Sequence, residues 1–477
     1  MFKFKHYPII GLAAIALAMA SCKVPAINQT VENRAVPASY GNSLDTANSS
    51  GTQWRAFFTD KNLISLIDTA LKNNQEMEGT LQEIEIARSE IRLRQGQLMP
   101  TLAARFGADV EKVGRYTSQG AGDASTEIAP GKATPDPLTN YLSGFYANWE
   151  IDIWKKLHNS KKAAITRYLA SVEGKNFLFT NLISEVANSY YELLAFDNQL
   201  ELVKQNIALQ NNALELVKVQ KEASRVTELA VQKFRAEVLN SQSLEFDLQQ
   251  SIRETENRIN LLLGRYPQEI PRDKSSFLTV APISVHAGIP LQLLANRPDI
   301  KQAELELAAA KLDVKVARAE FYPSLGISAA LGLQAFKPSY IVKLPESVLY
   351  SVAGDLVAPL VNRNAIKAEF ASANARQLQA MYKYERTILN AYLEVSNQLS
   401  KADNLEKKYS LKSRQVDVLT SSIDISNDLF KSARADYFEV LMTQRDALES
   451  KLELIETKKD QLTTVTNIYR NLGGGWK

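Results

Sequence analysis

Chemistry needs reactive side chains at workable spacings, and this sequence holds few of the usual kind. It has one cysteine, Cys22, and three histidines, His6, His158 and His286, all far apart in sequence. A Cys-His nucleophile pair, a Cys/His metal site and a disulfide framework therefore lack raw material. No Gly-rich phosphate loop, nucleophile elbow or metal-ligand cluster occurs at useful spacing, which argues against an enzyme and against a cofactor. What remains is a thiol placed where targeting chemistry would use one, and charged side chains beside two breaks in a long helical pattern.

The thiol follows an export signal. Lys3 and Lys5 form a basic start, and an apolar run from Ile9 to Ala20 is too short to span a bilayer. Met19-Ala20-Ser21-Cys22 resembles the lipobox of bacterial lipoproteins, with Met19 in place of the usual leucine. Residues 1–21 are then a removed signal peptide, and Cys22 becomes the acylated N-terminus of a leader over residues 22–61. That leader reads as mostly extended, being rich in Asn, Ser, Thr, Ala and Pro without a period. Beyond Cys22 no apolar run approaches the ~18 residues of a transmembrane helix, so any membrane crossing must use strands. With 56 Lys+Arg against 53 Asp+Glu, the net charge is +3, which gives no footprint for nucleic acid.

The elements that position these groups follow from periodicity. Leu63, Leu66, Ile67, Ala70 and Leu71, then Leu81, Ile84, Ala87, Ile91 and Leu98, predict one long helix ending at Pro100. After Pro100 the period becomes two. Strands are expected at about 101–116 and 140–153, separated by a polar loop over Thr117 to Pro137. From Lys155 to Ala223 there is no proline, so a single helix could run ~100 Å. It breaks at Ser224, Arg225, Val226 and Thr227, and a return helix with a three-four seam through Val231, Phe234, Val238, Leu248 and Ile259 ends at Gly264.

The same order then recurs. Arg297-Pro298-Asp299 opens a helix, strands are expected at about 324–336 and 348–359, and a second proline-free stretch runs from Leu360 to Lys431. It breaks at Ser432 to Asp436, and the final helix ends at Gly473. Arg225 and Arg434 lie 434 − 225 = 209 positions apart, and Leu263-Gly264 and Leu472-Gly473 share that offset. The chain therefore reads as a duplication, with repeats over 62–266 and 297–477 and a linker over 267–296. The fold class is mainly α with transmembrane β. Four strands cannot close a barrel in lipid, so several identical subunits must pool them; two copies would give about eight strands and three about twelve.

Trp54-Arg55-Ala56-Phe57-Phe58-Thr59-Asp60, Arg297-Pro298-Asp299-Ile300, Ala319-Glu320-Phe321-Tyr322-Pro323-Ser324-Leu325, Tyr437-Phe438-Glu439-Val440-Leu441 and the terminal Gly-Gly-Gly-Trp carry a family resemblance. In this order they resemble the outer membrane efflux proteins, the TolC-like family, especially its lipoprotein branch, from Trp54 to Trp476. The resemblance implies a homotrimer: a 12-stranded outer-membrane β-barrel on an α-helical periplasmic barrel, lipid-anchored and without chemistry of its own. It implies a passive exit duct for small molecules in a tripartite pump, with a periplasmic adaptor and an inner-membrane transporter of the proton-driven resistance-nodulation-division type. Ser224, Arg225, Val226 and Thr227, with Ser432 and Ala433, would be the adaptor-facing tips; the family often has glycine at these breaks, where this chain has Ala223 and Ala433. Glu439 falls on an often-acidic gate position and Met442 on a second one, so that Glu439, with Asp436 and Arg434, could form a cation-attracting constriction or a latch. The competing reading of those three is a solvated helix surface.

Trp149 and Trp154 read equally as interfacial aromatics or as packing near a strand end. Two alternative functions share the same elements. One is an outer-membrane duct for type I protein secretion; the other is a lipid-anchored periplasmic coiled-coil scaffold whose hairpins form a small soluble β-domain.

Overall fold

The computed structural model describes residues 26–27, 31–40, 46–275, 277–359, 363–432 and 434–476. The signal peptide, Cys22 and Ala433 lie outside the described residues. The elements are helices α1 (Lys61–Asn73) and α2 (Gln75–Gly96), strands β1 (Thr101–Glu111) and β2 (Leu138–Ile151), and helices α3 (Lys156–Glu222) and α4 (Glu228–Leu262). After the linker come α5 (Pro298–Ala319), β3 (Ser324–Ala335), β4 (Val348–Val357), α6 (Asn364–Lys431) and α7 (Tyr437–Asn471). No helix among the described residues is long and apolar enough to cross a membrane.

Two compact units divide the chain. The first is built on Ile86–Tyr168 and Glu306–Met381 and contains one four-stranded antiparallel sheet in the order β1-β2-β3-β4. Register sorts its side chains cleanly. Pairs such as Phe106 with Ser143, Phe145 with Leu331 and Leu331 with Tyr350 lie on one face; Asn148 with Ser328 and Gly326 with Asp355 lie on the other. The apolar face is bare: Phe106 is 79% exposed, Tyr350 79% and Val352 80%. β1 and β4 each pair on one side only, leaving two open edges. Trp149 donates its indole N–H to Leu98 O at 3.0 Å, and Trp154 stacks on Tyr322 and donates to Pro323 O. Both indoles are thus held by backbone carbonyls just ahead of β1 and β3 while remaining partly exposed.

The second unit, Glu32–Glu85, Leu169–Leu305 and Tyr382–Lys477, holds the main core. Phe57 and Phe58 of the Trp54–Phe58 motif pack with Leu63 and Ile67 of α1, Ile183, Val186 and Tyr190 of α3, Ile259 of α4 and Tyr469 of α7. Asp60 caps α1, accepting from Asn62 N at 2.7 Å, and its other oxygen accepts from the Tyr190 hydroxyl at 2.8 Å. The leader lies extended over residues 31–37 and is held by specific bonds: Asn33 N to Glu385, Arg34 to Glu304, and Tyr40 stacked on Tyr392.

Three sequence expectations change. The long first helix breaks at Asn74, whose backbone turns extended and whose side chain accepts from Met77 N and donates to Leu262 O. An amide that caps one helix and ties to another outweighs an unbroken apolar pattern. β1 stops at Glu111, short of residue 116. The polar loop after it contains a helix, Ser118–Ser125, capped by Thr117, and a two-stranded ribbon pairing Glu127–Ala129 with Lys132–Ala133.

The duplication is visible atom by atom. At the end of α4, Gly264 N donates to Leu261 O and Arg265 N to Asn260 O; at the end of α7, Gly473 N donates to Arg470 O and Gly474 N to Tyr469 O. Both glycines have positive φ, +65° and +83°. A Cβ would meet Asn73 O at 2.2 Å in the first case and Asn296 O at 2.4 Å in the second. Two independent requirements, conformation and space, thus select glycine at positions 209 apart.

Candidate functional site at the helix tips

Both helix breaks belong to the second unit and are built alike. α3 ends at Glu222, and Ser224 N donates to Lys221 O at 2.8 Å while Arg225 N donates to Gln220 O at 2.9 Å. This pattern needs a left-handed residue, and it is Ser224, φ +58°, that adopts it, one position beyond Ala223. In the second break Arg434 N donates to Leu429 O at 2.9 Å, the same six-residue closure. α4 restarts after Thr227, whose side chain makes no cap bond, and α7 restarts after Asp436, whose carboxylate accepts from Phe438 N.

The two tips are joined by a small apolar cluster. Leu214, Val217, Val231, Phe234 and Val238 of the first hairpin bury Leu441 of α7, with Val226, Phe430 and Tyr437 packed alongside. The Lys233 ammonium lies 5.2 Å from the Phe438 ring centre. Of the expected tip residues, Val226 is therefore partly core, whereas Ser224, Arg225, Thr227 and Ser432 are exposed. Lys221 pairs with Glu228 across the first break, and this bond, with Gln232, holds the Glu228 carboxyl below the usual carboxylate range. That pair was not singled out from the sequence; opposite charges flanking a helix break were the available signal.

Two of the gate candidates share one helical turn, where Glu439 N donates to Asp436 O at 3.1 Å. Arg434, Asp436 and Glu439 are all exposed. The described ion pairs here are Lys221–Glu228 and Lys431–Asp428, which include none of the three. Asp436 is engaged as a helix cap, and Glu439 stands in the first turn of α7, where its carbonyl accepts from the Thr443 hydroxyl.

Two buried arginines, of which the sequence reading names only Arg297, fix the hairpins nearer the core. Arg272 of the linker reaches Asp197 on α3 and Glu256 on α4, with Arg272 and Asp197 side chains only 5% and 1% exposed. Arg297, expected as a helix start and as part of the Arg297-Pro298-Asp299-Ile300 motif, grips Asp299 with two bonds, Glu394 at 2.8 Å and Asn471 O at 3.0 Å. Burial alone would lower the pKa of both guanidinium groups, but their carboxylate partners raise it further, so both stay charged.

Residues 66–265 and 289–474 each match a family model described as outer membrane efflux protein, one match per repeat. The chain belongs to the outer membrane efflux protein family. Membership places this efflux protein in the outer membrane. It is 27% identical over 425 residues to the pyoverdine export outer membrane protein OpmQ of Pseudomonas aeruginosa, covering 89% of this chain and 88% of that one. It is 26% identical to a protein named probable outer membrane lipoprotein SilC from Salmonella typhimurium, over the full length of both. Among solved structures, that of CusC superposes with a TM-score of 0.80 at 24% identity, covering 94% of this chain and 99% of that one. The open-state MtrE channel of Neisseria gonorrhoeae gives 0.80 at 21% identity, covering 95% and 98%. At these identities the two structures establish a shared fold.

Proposed function

We propose that this efflux protein is the passive outer-membrane exit duct of a tripartite pump. It assembles as a homotrimer in which three four-stranded sheets close into a 12-stranded barrel and the helical hairpins form a periplasmic α-barrel. The observation that carries this reading is the sheet itself: an exposed apolar face bounded by two open edges. In lipid each unpaired backbone group costs several kcal/mol, and joining β1 of one copy to β4 of the next removes every edge. Cys22 carries the lipid anchor, the domain division is that of the two repeats, and the chain itself performs no catalysis. A periplasmic adaptor docks at Ser224 to Thr227 and at Ser432 and Ala433. An inner-membrane transporter of the resistance-nodulation-division type supplies the energy.

The relatives' names do not select a cargo. OpmQ is named for pyoverdine export at 27% identity, CusC of Escherichia coli for cation efflux at 25% and TtgI of Pseudomonas putida for toluene efflux at 26%. Mass spectrometry of the intact protein in detergent tests the assembly, with an acylated trimer expected. A water-soluble monomer, once leader and acyl chains are removed, would favour the coiled-coil scaffold instead. The gate assignment is tested separately. Glu439→Ala is expected to raise single-channel conductance or weaken cation preference in planar bilayers, and unchanged values of both would remove Glu439 from the gate.

A further inference from the structure

The polar face of the sheet carries one charge of the opposite sign to all the others. Arg105 is the single Lys or Arg in the four strands, whereas Asp109, Glu111, Glu150 and Asp355 share its face. It stands in the middle of β1, opposite Gly144, which in turn faces Gly332. Neither glycine can be replaced by a larger residue. A Cβ on Gly144 would meet Gly332 Cα and Leu331 O at 2.8 Å, and one on Gly332 would meet Ser143 O at 2.5 Å. The Arg105 side chain therefore extends beside a floor of bare backbone, its guanidinium 5.9 Å from the Tyr146 ring centre.

No carboxylate of the strands can neutralise it. Asp109 lies four residues along β1, about 13 Å away at 3.3 Å per residue, and already accepts from Asn140 Nδ2 at 3.1 Å. Glu150, which already pairs with Lys156 at 2.5 Å, and Asp355 lie level with residue 99, about 20 Å in the other direction. Both separations exceed the ~8 Å Debye length at physiological ionic strength, so each level acts on a passing ion separately.

We propose that Arg105 is a selectivity-determining residue of the pore, a cationic level that receives carboxylate, phosphate or sulfate groups of solutes between two anionic levels. This rests on the trimeric barrel proposed above, which turns the polar face inward and brings three copies of Arg105 to one depth. A guanidinium suits the role because its planar fork offers a two-pronged donor to oxyanions.

Reversal potentials across planar bilayers in a KCl gradient test this, with Arg105→Gln and Arg105→Lys compared with the unchanged protein. Removing the charge should move the cation-to-anion permeability ratio towards cations by roughly threefold or more, because only carboxylates would remain on that face. Arg105→Lys should retain most of the original ratio. Current block by millimolar sulfate, if present in the unchanged protein, should weaken in Arg105→Gln alone. Trimers of Arg105→Gln with normal conductance and an unaltered ratio would overturn the role of Arg105 and leave the duct reading standing. Failure of the unchanged protein to form channels would overturn the duct reading and this inference with it.

Discussion

Arg272 shows how much a single side chain can fix when the surrounding water is gone. Its guanidinium is shared between Asp197 on one helix and Glu256 on the next, all three groups nearly inaccessible. Removing it would leave two buried carboxylates with only exposed counter-charges, Lys274 beside Asp197 and Arg253 3.7 Å from Glu256. Arg272→Met is therefore expected to destabilise the second unit by about 3–5 kcal/mol, read as a lower midpoint in chemical denaturation of the detergent-solubilised protein. A midpoint within experimental error of the unchanged protein would mean that the fork contributes nothing net. Such contacts were not legible beforehand, since the partners lie 75 and 16 positions from Arg272 and nothing in their local pattern marks them as neighbours. Gly264 and Gly473 were legible, because a glycine closing an apolar seam has a local cause in the backbone conformation that ends a helix. Glu439 and Arg434 sit between these cases: their place at a tip could be read from the break, but their exposure depends on side-chain direction.

Among the elements, the breaks decide where function can reside. Ser224 holds a left-handed conformation that costs a residue with a Cβ about 1 kcal/mol. Ser224→Gly should relieve that strain and slow amide hydrogen exchange at Arg225, whose N–H closes the turn on Gln220 O. Ser224→Val should accelerate exchange there, and equal rates in both variants would remove strain as a property of this tip. The long helices were readable because absence of proline over nearly seventy residues leaves few alternatives. The break at Asn74 was hidden: α1 and α2 share a continuous apolar pattern, and the interruption comes from a hydrogen bond to Leu262 O, 188 positions away. The Ser118–Ser125 helix was missed for a related reason, since Gly, Ser and Asp suit a loop unless a local cap such as Thr117 organises them.

At the scale of the whole molecule, the proposed assembly turns on a sheet with two open edges. Period-two alternation identified both faces and the hairpin order, and the gapless offset of 209 identified the duplication. Pairing of β2 with β3 across 172 intervening residues follows only from that repetition, for no local signal joins Ile151 to Leu325. Phe106, 79% exposed on the apolar face, marks the side assigned to lipid. Phe106→Arg is expected to impair insertion, since a cation at mid-bilayer costs roughly 2–4 kcal/mol per copy on a barrel's outer surface. The check is the amount of folded trimer recovered from outer membranes, and unchanged recovery would place this face away from lipid.

The paired rods have a consequence for how such a chain can change over time. α3 and α6 contain 67 and 68 residues, and α4 and α7 contain 35 each. Insert or delete a few residues in one hairpin alone and its end would stop at a different depth from its twin, by about 1.5 Å per residue, while the seam beyond the change rotates out of phase. Length is therefore inherited jointly: lineages with deeper or shallower cell envelopes should have lengthened or shortened both halves together, in steps close to whole heptads.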